Sequence, residues 1–319
     1  MKMEYGIIDI GSNTIRLSIF KYNETANTVK LITNKKVIVG LTGYVKKGQL
    51  SALGITKLCR TLQKLKISLE NFEIKNYSVF ATASLRNISN TEEVLREIEK
   101  TTGMQPEIIV GEEEARLDFI GAKSGMNLER GILVDIGGGS TEIVLFNNGE
   151  IEKLTSIPIG ALNLQNKVVK HIVPEEKEIK KMRKIIKEAL KELDWEYEQN
   201  YKYLYGIGGS SRACMNIIKE TKNLPLEDKS FFVEELYNIV DILKNGGTCE
   251  ETKELYRLIP ERIFSFAGGV VILREIVDTF GVEKVIISKN GVREGYFIDR
   301  VIKKDEEKVE NNEAWLYWK

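Results

Sequence analysis

The chain has 319 residues, 47 Lys+Arg against 47 Asp+Glu, one histidine (His171) and three cysteines, Cys59, Cys214 and Cys249. That length supplies about two domains of roughly 100–200 residues each. A single histidine excludes any site built on two, and an odd set of widely spaced cysteines argues against a disulfide framework or a zinc site and predicts reduced thiols.

No apolar run approaches the roughly 20 residues of a membrane helix. The opening Met-Lys-Met-Glu-Tyr-Gly-Ile-Ile-Asp-Ile runs into a strand without a signal-peptide pattern. The balanced charge counts against a nucleic-acid coat. These features predict a cytoplasmic protein with neither a membrane nor a nucleic acid as partner.

Short apolar runs alternating with helical patterns predict an α/β fold. Strands are expected at 5–10, 15–21, 29–38, 77–81, 107–110, 131–136, 142–146, 150–156, 203–207 and 284–288. Leu58, Leu62, Leu65 and Leu69 recur at spacings of four, three and four, one face of an amphipathic helix. Asn90 followed by Glu93 reads as a capping box ahead of Val94, Leu95 and Ile98. Ile179, Met182, Ile185, Ile186, Ala189, Leu190 and Leu193 trace another stripe. Opposite it, Lys180, Lys181, Arg183, Lys184, Lys187 and Lys191 predict a solvated face.

An internal repeat carries the most information. Residues 8–20 (Ile-Asp-Ile-Gly-Ser-Asn-Thr-Ile-Arg-Leu-Ser-Ile-Phe) match residues 134–146 (Val-Asp-Ile-Gly-Gly-Gly-Ser-Thr-Glu-Ile-Val-Leu-Phe) at a constant offset of 126. Each reads as a buried strand, a turn of small residues and a second strand. Two such hairpins opening two halves of a chain predict two related domains facing a cleft. The boundary is expected within 121–130, giving domains 1–125 and 126–319.

The turns suit phosphate. Successive backbone N–H groups unshielded by side chains form an anion nest. Gly137, Gly138, Gly139 and Ser140 have this character, as do Gly11, Ser12, Asn13 and Thr14. Asp9 and Asp135 precede the turns, and a carboxylate beside a phosphate makes sense chiefly with Mg²⁺ between them. The bland alternative is a tight hairpin with a structural aspartate. A third turn, Gly206-Ile-Gly208-Gly209-Ser210-Ser211, follows a strand and precedes a helix expected near Arg212, another anion-binding arrangement. Glu112, Glu113 and Glu114 follow Gly111 at a helix start, where acids complement the macrodipole; one of them could instead deprotonate water. Arg86 and Arg262 are candidates for neutralising phosphoryl charge, among 47 basic residues.

These segments together resemble the exopolyphosphatase/guanosine pentaphosphate phosphohydrolase (Ppx/GppA) family, within the acetate kinase–sugar kinase–Hsp70–actin fold group. The matching pieces are Asp9-Ile-Gly-Ser-Asn-Thr14, Ala81-Thr-Ala-Ser-Leu-Arg86, Gly111-Glu-Glu-Glu-Ala-Arg116, Asp135-Ile-Gly-Gly-Gly-Ser-Thr-Glu142 and Ser288-Lys-Asn-Gly-Val-Arg-Glu-Gly295. The resemblance implies two ribonuclease H-like domains with the active site in the cleft between them. It implies Mg²⁺-dependent removal of the terminal phosphate from inorganic polyphosphate, with Mn²⁺ as the alternative ion. The alternative substrate is guanosine pentaphosphate, losing its 5′ γ-phosphate. By position, Glu114 matches the catalytic base, and Asp135 and Glu142 match the metal-side acids. Gly137–Ser140 match the phosphate loop, and Asn13, Arg86 and Arg262 match further phosphate contacts. A last helix, about 291–305, is expected to pack back on the first domain, and homodimers are common in the family.

Three positions depart from the family pattern: Ser211-Arg212 in the third turn, Phe264 two residues after Arg262, and Lys289 after Ser288. All lie in the second half and bear on substrate choice. A guanosine substrate needs a base pocket that no residue identifies, whereas polyphosphate needs only a basic groove. A non-hydrolytic binding protein on the same fold is opposed by the joint presence of Glu114, Asp135 and Glu142. A small-molecule kinase is opposed by the Glu-Glu-Ala-Arg motif.

Overall fold

A computed structural model describes residues 2–193, 195, 201–247 and 249–303. They fall into two compact units, residues 2–126 with 290–303, and residues 127–289.

In the first unit β1 (Lys2–Ile10) and β2 (Thr14–Asn23) form an antiparallel hairpin, and β3 (Thr28–Ile38) continues it. A small ribbon, β4 (Val45–Lys46) and β5 (Gln49–Leu50), precedes helix α1 (Ala52–Asn71). Then come β6 (Tyr77–Ala81), the short α2 (Ala83–Arg86), α3 (Thr91–Thr102), β7 (Glu107–Ile108) and α4 (Gly111–Gly125). β6 lies parallel to β1 and β7 parallel to β6, so the sheet order is β3-β2-β1-β6-β7. Alternation along β1 supplies both faces. Ile8 and Ile10 join the core with Leu58, Leu62, Leu65 and Leu69 of α1. Ile7 joins the other core, with Phe20, Phe80, Leu117, Tyr296 and Phe297. Tyr296 ends a helical turn, Val292–Tyr296, and Phe297 begins the π-helical Phe297–Ile302 that follows it. Phe297 stacks on Phe20 at 5.0 Å and Tyr296 on Phe80 at 4.9 Å. The expected last helix is thus helical through Lys303; its residues 304 and 305 lie outside the described residues.

The second unit repeats the arrangement. β8 (Arg130–Ile136), β9 (Thr141–Asn147) and β10 (Glu150–Ile157) are antiparallel, and β11 (Tyr203–Ile207) lies parallel to β8. β12 (Ser230–Phe232) and β13 (Lys284–Ile287) complete the order β10-β9-β8-β11-β13-β12. The helices are α5 (Ala161–Val168), α6 (Glu176–Lys191), α7 (Gly208–Lys222), α8 (Val233–Lys244), α9 (Glu250–Leu258) and α10 (Phe266–Phe280). α10 is apolar almost all round, and Phe266, Val270, Leu273 and Val277 are fully buried. The fold is α/β with two mixed sheets, each ribonuclease H-like: three antiparallel strands extended by two parallel ones, with β12 added antiparallel at the edge of the second sheet. No helix among the described residues is long and apolar enough to cross a membrane.

All ten expected strands are present, with β7 shorter than 107–110 because Val110 already caps α4. The expectations missed β4, β5 and β12, two or three residues each. Asn90 does not cap α3 through its side chain. Its amide instead brackets Leu50, accepting from the N–H and donating to the C=O, and also donates to Glu93. The basic face of α6 is not wholly solvated, since Arg183 and Lys187 pair with the fully buried Glu275 of α10.

Candidate active site

In the first unit the β1–β2 turn is pinned by its own backbone. The Gly11 N–H donates to the Thr14 carbonyl at 3.1 Å, and the Asn13 carbonyl accepts from Val39 and Gly40. The Ser12 carbonyl accepts from Thr42. Asp9 sits opposite Arg16 in the hairpin. Burial raises its carboxyl above the ordinary value, and Arg293, whose Nε lies 3.9 Å from Oδ2, draws it back in part.

Arg86 closes α2 directly after β6, and Glu114 lies in the first turn of α4. Arg86 Nη1 donates to Glu114 Oε2 and to the Ile109 carbonyl, both at 2.9 Å. Glu114 is only 8% exposed. Asp118, one turn further along α4, is fully buried and was not singled out in the sequence. Nothing but its depth marks it among helical acids.

In the second unit Asp135 and Glu142 face each other across β8 and β9, so their side chains share one face of the sheet. Glu142 is buried and accepts from Ser156 Oγ at 2.7 Å. Between them the loop Gly137–Ser140 turns back on itself, the Gly137 N–H meeting the Ser140 carbonyl at 3.0 Å. Its remaining carbonyls are taken by the start of α5. Gly137 accepts from Ala161, Gly138 from Leu162 and Asn163, and Gly139 from the Asn163 side chain. In a trans peptide the C=O and the following N–H point opposite ways. The N–H groups of Gly138, Gly139 and Ser140 are therefore directed away from α5, the arrangement of an anion nest.

Two supports of this loop escaped the sequence reading. A Cβ at Gly160 would stand 2.4 Å from the Gly139 nitrogen and 2.5 Å from the Gly138 carbon. Asn163 also bonds back to the Gly160 N–H at 2.8 Å. The visible signal was a glycine followed three residues later by an asparagine at a helix start.

The third turn differs from expectation. α7 begins at Gly208, not near Arg212, so Gly208, Gly209 and Ser210 are its first turn, where backbone N–H groups lack intrahelical partners. Gly208 has φ +79°, and a Cβ there would fall 2.2 Å from Asp135 Oδ1. Gly209 lies under the Arg262 guanidinium, whose Nη2 would stand 1.4 Å from an added Cβ. The Ser210 hydroxyl, by contrast, is buried against Gly269 of α10, so this residue offers its amide and not its hydroxyl.

The structure thus gathers Asp135, Glu142, Gly137–Ser140, Gly208, Gly209 and Arg262 in the second unit. The first unit carries two groupings, Arg86 with Glu114, and Asp9, Ser12 and Asn13 at the β1–β2 turn. Among the described residues no three His, Cys, Asp or Glu side chains form a metal cage. Mg²⁺ does not need one, because it binds through one or two carboxylates plus waters and substrate phosphates. The paired carboxylates of Asp135 and Glu142 fit that mode. A cavity of about 1260 Å³ also lies in the second unit, lined in part by Val173, Tyr256, Pro260, Ile263 and Phe264.

The Ppx/GppA phosphatase family model matches residues 19–304. The chain is 31% identical over 309 residues to the bifunctional 3-dehydroquinate synthase/phosphatase of Fusobacterium nucleatum, covering 92% of this chain and 46% of that protein. It is 27% identical over 296 residues to the guanosine-5′-triphosphate,3′-diphosphate pyrophosphatase of Aeromonas hydrophila, covering 91% and 58%. The chain therefore spans about half the length of these curated relatives. Among solved structures, an exopolyphosphatase from Cytophaga hutchinsonii superposes with TM-score 0.80 at 24% identity, covering 93% of this chain and 97% of that one.

Proposed function

Because the chain belongs to the Ppx/GppA phosphatase family, we propose that it is a phosphoanhydride hydrolase that removes the terminal phosphate of inorganic polyphosphate. The observation that carries this reading is the loop Gly137–Ser140, whose carbonyls are taken by the start of α5 so that its N–H groups point away from that helix, close to Asp135 and the first turn of α7.

In phosphoryl transfer the protein contributes mainly positioning and electrostatic stabilisation. Glu114 holds the attacking water and takes its proton. Arg86 keeps the carboxylate aimed. The N–H groups of Gly138, Gly139 and Ser140, with those of Gly208 and Gly209, donate to the phosphate oxygens, and Arg262 neutralises charge. Ser12 and Asn13 supply further phosphate contacts from the β1–β2 turn. Asp135 and Glu142 would hold Mg²⁺, or Mn²⁺ in its place, which when bound neutralises phosphate oxygens. Asp9 already has Arg293 beside its carboxylate, so the ion is assigned to the other two acids.

A second substrate is favoured by one observation. Pro260, Ile263 and Phe264 line the cavity in the second unit and flank Arg262 in sequence. Polyphosphate has no use for apolar lining, whereas the base of guanosine pentaphosphate does. The departure at Phe264 falls at this place.

The test is phosphate release from long polyphosphate, tripolyphosphate and guanosine pentaphosphate, each with and without Mg²⁺. Release from the first two supports the exopolyphosphatase reading. Release confined to the third, and lowered by Phe264→Ala, supports the alternative. No release from any of them overturns hydrolysis and leaves a phosphate-binding protein.

A further inference from the structure

The motif helix α4 is anchored twice by the segment Gly291–Lys303, far away in sequence. The first anchor is backbone against backbone. A Cβ at Gly295 would stand 1.8 Å from the Leu117 carbonyl oxygen, and one at Gly121 would stand 2.1 Å from the Gly291 oxygen. Glycine at both positions lets the two helical segments touch directly, which fixes the axis of α4.

The second anchor is ionic and lies at the first turn. Arg116 clamps Glu113 through two bonds, Nε–Oε2 at 2.8 Å and Nη2–Oε1 at 2.9 Å. The same guanidinium donates to both oxygens of Asp299, Nη1–Oδ1 being 3.2 Å. Arg300 closes the circuit on Glu113, and Lys303 stands 3.6 Å from Asp299. Planar guanidinium groups fixed on two carboxylates carry direction as well as energy. That matters because Val110, the cap of α4, makes no side-chain capping bond. Besides its own backbone bond from the Glu114 N–H to the Val110 carbonyl at 2.9 Å, the turn that carries Glu114 is therefore held from outside the helix.

Within Gly111-Glu-Glu-Glu-Ala-Arg116 the acids thus divide their roles. Glu113 joins the ionic clamp, and Glu114 turns to Arg86. We propose that Arg116 and Asp299 are positioning residues, which hold the first turn of α4 through Glu113 and Arg300 so that Glu114 stays aimed for catalysis. The proposal rests on the reading of Glu114 as the base, and its test separates the two.

Asp299→Asn removes one anion and leaves the apolar packing alone. Val301→Ala is the control, trimming the buried core of the same segment without touching a charge. In the full chain, amide hydrogen exchange at Glu114, Ala115 and Arg116 is expected to quicken about tenfold in Asp299→Asn and to stay unchanged in Val301→Ala. Turnover of polyphosphate should fall about 10- to 100-fold in kcat with KM nearly constant, because misplacing a catalytic group costs that much. Asp299→Glu should recover most of the loss. Unchanged exchange in Asp299→Asn overturns the clamp, and so does unchanged kcat in an active wild type. Equal kcat losses in Asp299→Asn and Val301→Ala show a merely structural effect and overturn it too. A wild type inactive on every substrate overturns the base assignment instead, while the exchange measurement still decides the clamp.

Discussion

Arg86 Nη1 stands 2.9 Å from Glu114 Oε2, and the same nitrogen donates to the Ile109 carbonyl at the end of β7. The pairing ties the end of one strand connection to the start of the next. It keeps a mostly buried carboxylate compensated while leaving its orientation set by a rigid partner.

Glu114→Gln tests the carboxylate as base. The amide oxygen still accepts from Arg86, so the protein should remain folded, with some loss of thermal stability because the Arg86 charge is left without its anion. Phosphate release should fall about 10²- to 10⁴-fold, the usual worth of general-base help. Steady-state rates near those of the wild type would remove Glu114 from the mechanism.

Divalent-metal dependence tests Asp135 and Glu142. A chelator should suppress phosphate release and added Mg²⁺ should restore it. Asp135→Asn should raise the Mg²⁺ concentration needed for half-maximal activity, since one carboxylate of the donor pair is lost. Undiminished activity in chelator would show that the paired acids serve the fold alone.

Gly160→Ala tests the phosphate loop from behind. Its backbone φ of −121° is open to any residue, so the effect is steric only. A methyl group 2.4 Å from the Gly139 nitrogen forces the loop to shift. Overpacking of this kind costs about 1–3 kcal/mol, and KM for polyphosphate should rise with it. An unchanged melting temperature and KM would mean the loop tolerates displacement and does not define the phosphate site.

Acid should dissolve the α4 clamp. The hydrogen bonds and charge of Arg116 hold Glu113 below its ordinary value of 4.5. Burial pushes Asp299 up, but Arg116, Lys303 and Arg300 outweigh it, leaving it below 3.8. Below those ordinary values the unfolded chain binds more protons than the folded one, so stability rises with pH there. The contribution is complete above about pH 4.5 and is lost as pH falls through the lowered values. Wild type should therefore exceed Asp299→Asn by ~1 kcal/mol at pH 7, a gap that narrows as pH falls below the ordinary value of 3.8. Denaturant titrations of both proteins across that range measure it, and a gap independent of pH would exclude an ionic origin.

Some of this was legible from residues alone. Ile8, Ile10, Ile15, Leu17 and Ile19 alternate along two strands, and the leucines of α1 recur at helical spacing, so the sheet and its covering helix could be read directly. β12 could not, because three residues carry no period. The start of α7 was misplaced by four residues for a related reason. Gly208 and Gly209 have poor helix propensity, and the closeness of Asp135 and Arg262, which leaves no room for a Cβ at either position, is not written in the local sequence.

Local order in the sequence therefore determined the longer strands, the glycine turns of the two hairpins and the acids beside them, since each depends on residues a few positions apart. The repeat at an offset of 126 also marked the hairpin that opens each unit, β1–β2 and β8–β9. Only the tertiary structure decided which donors meet. The direction of the Gly138–Ser140 amides depends on Ala161 and Asn163, Arg262 reaches Gly209 from another element, and Asp299 finds Arg116 over 183 positions. Hydrogen-bond direction and close backbone approach are properties of packed neighbours, and no periodicity along a chain encodes them.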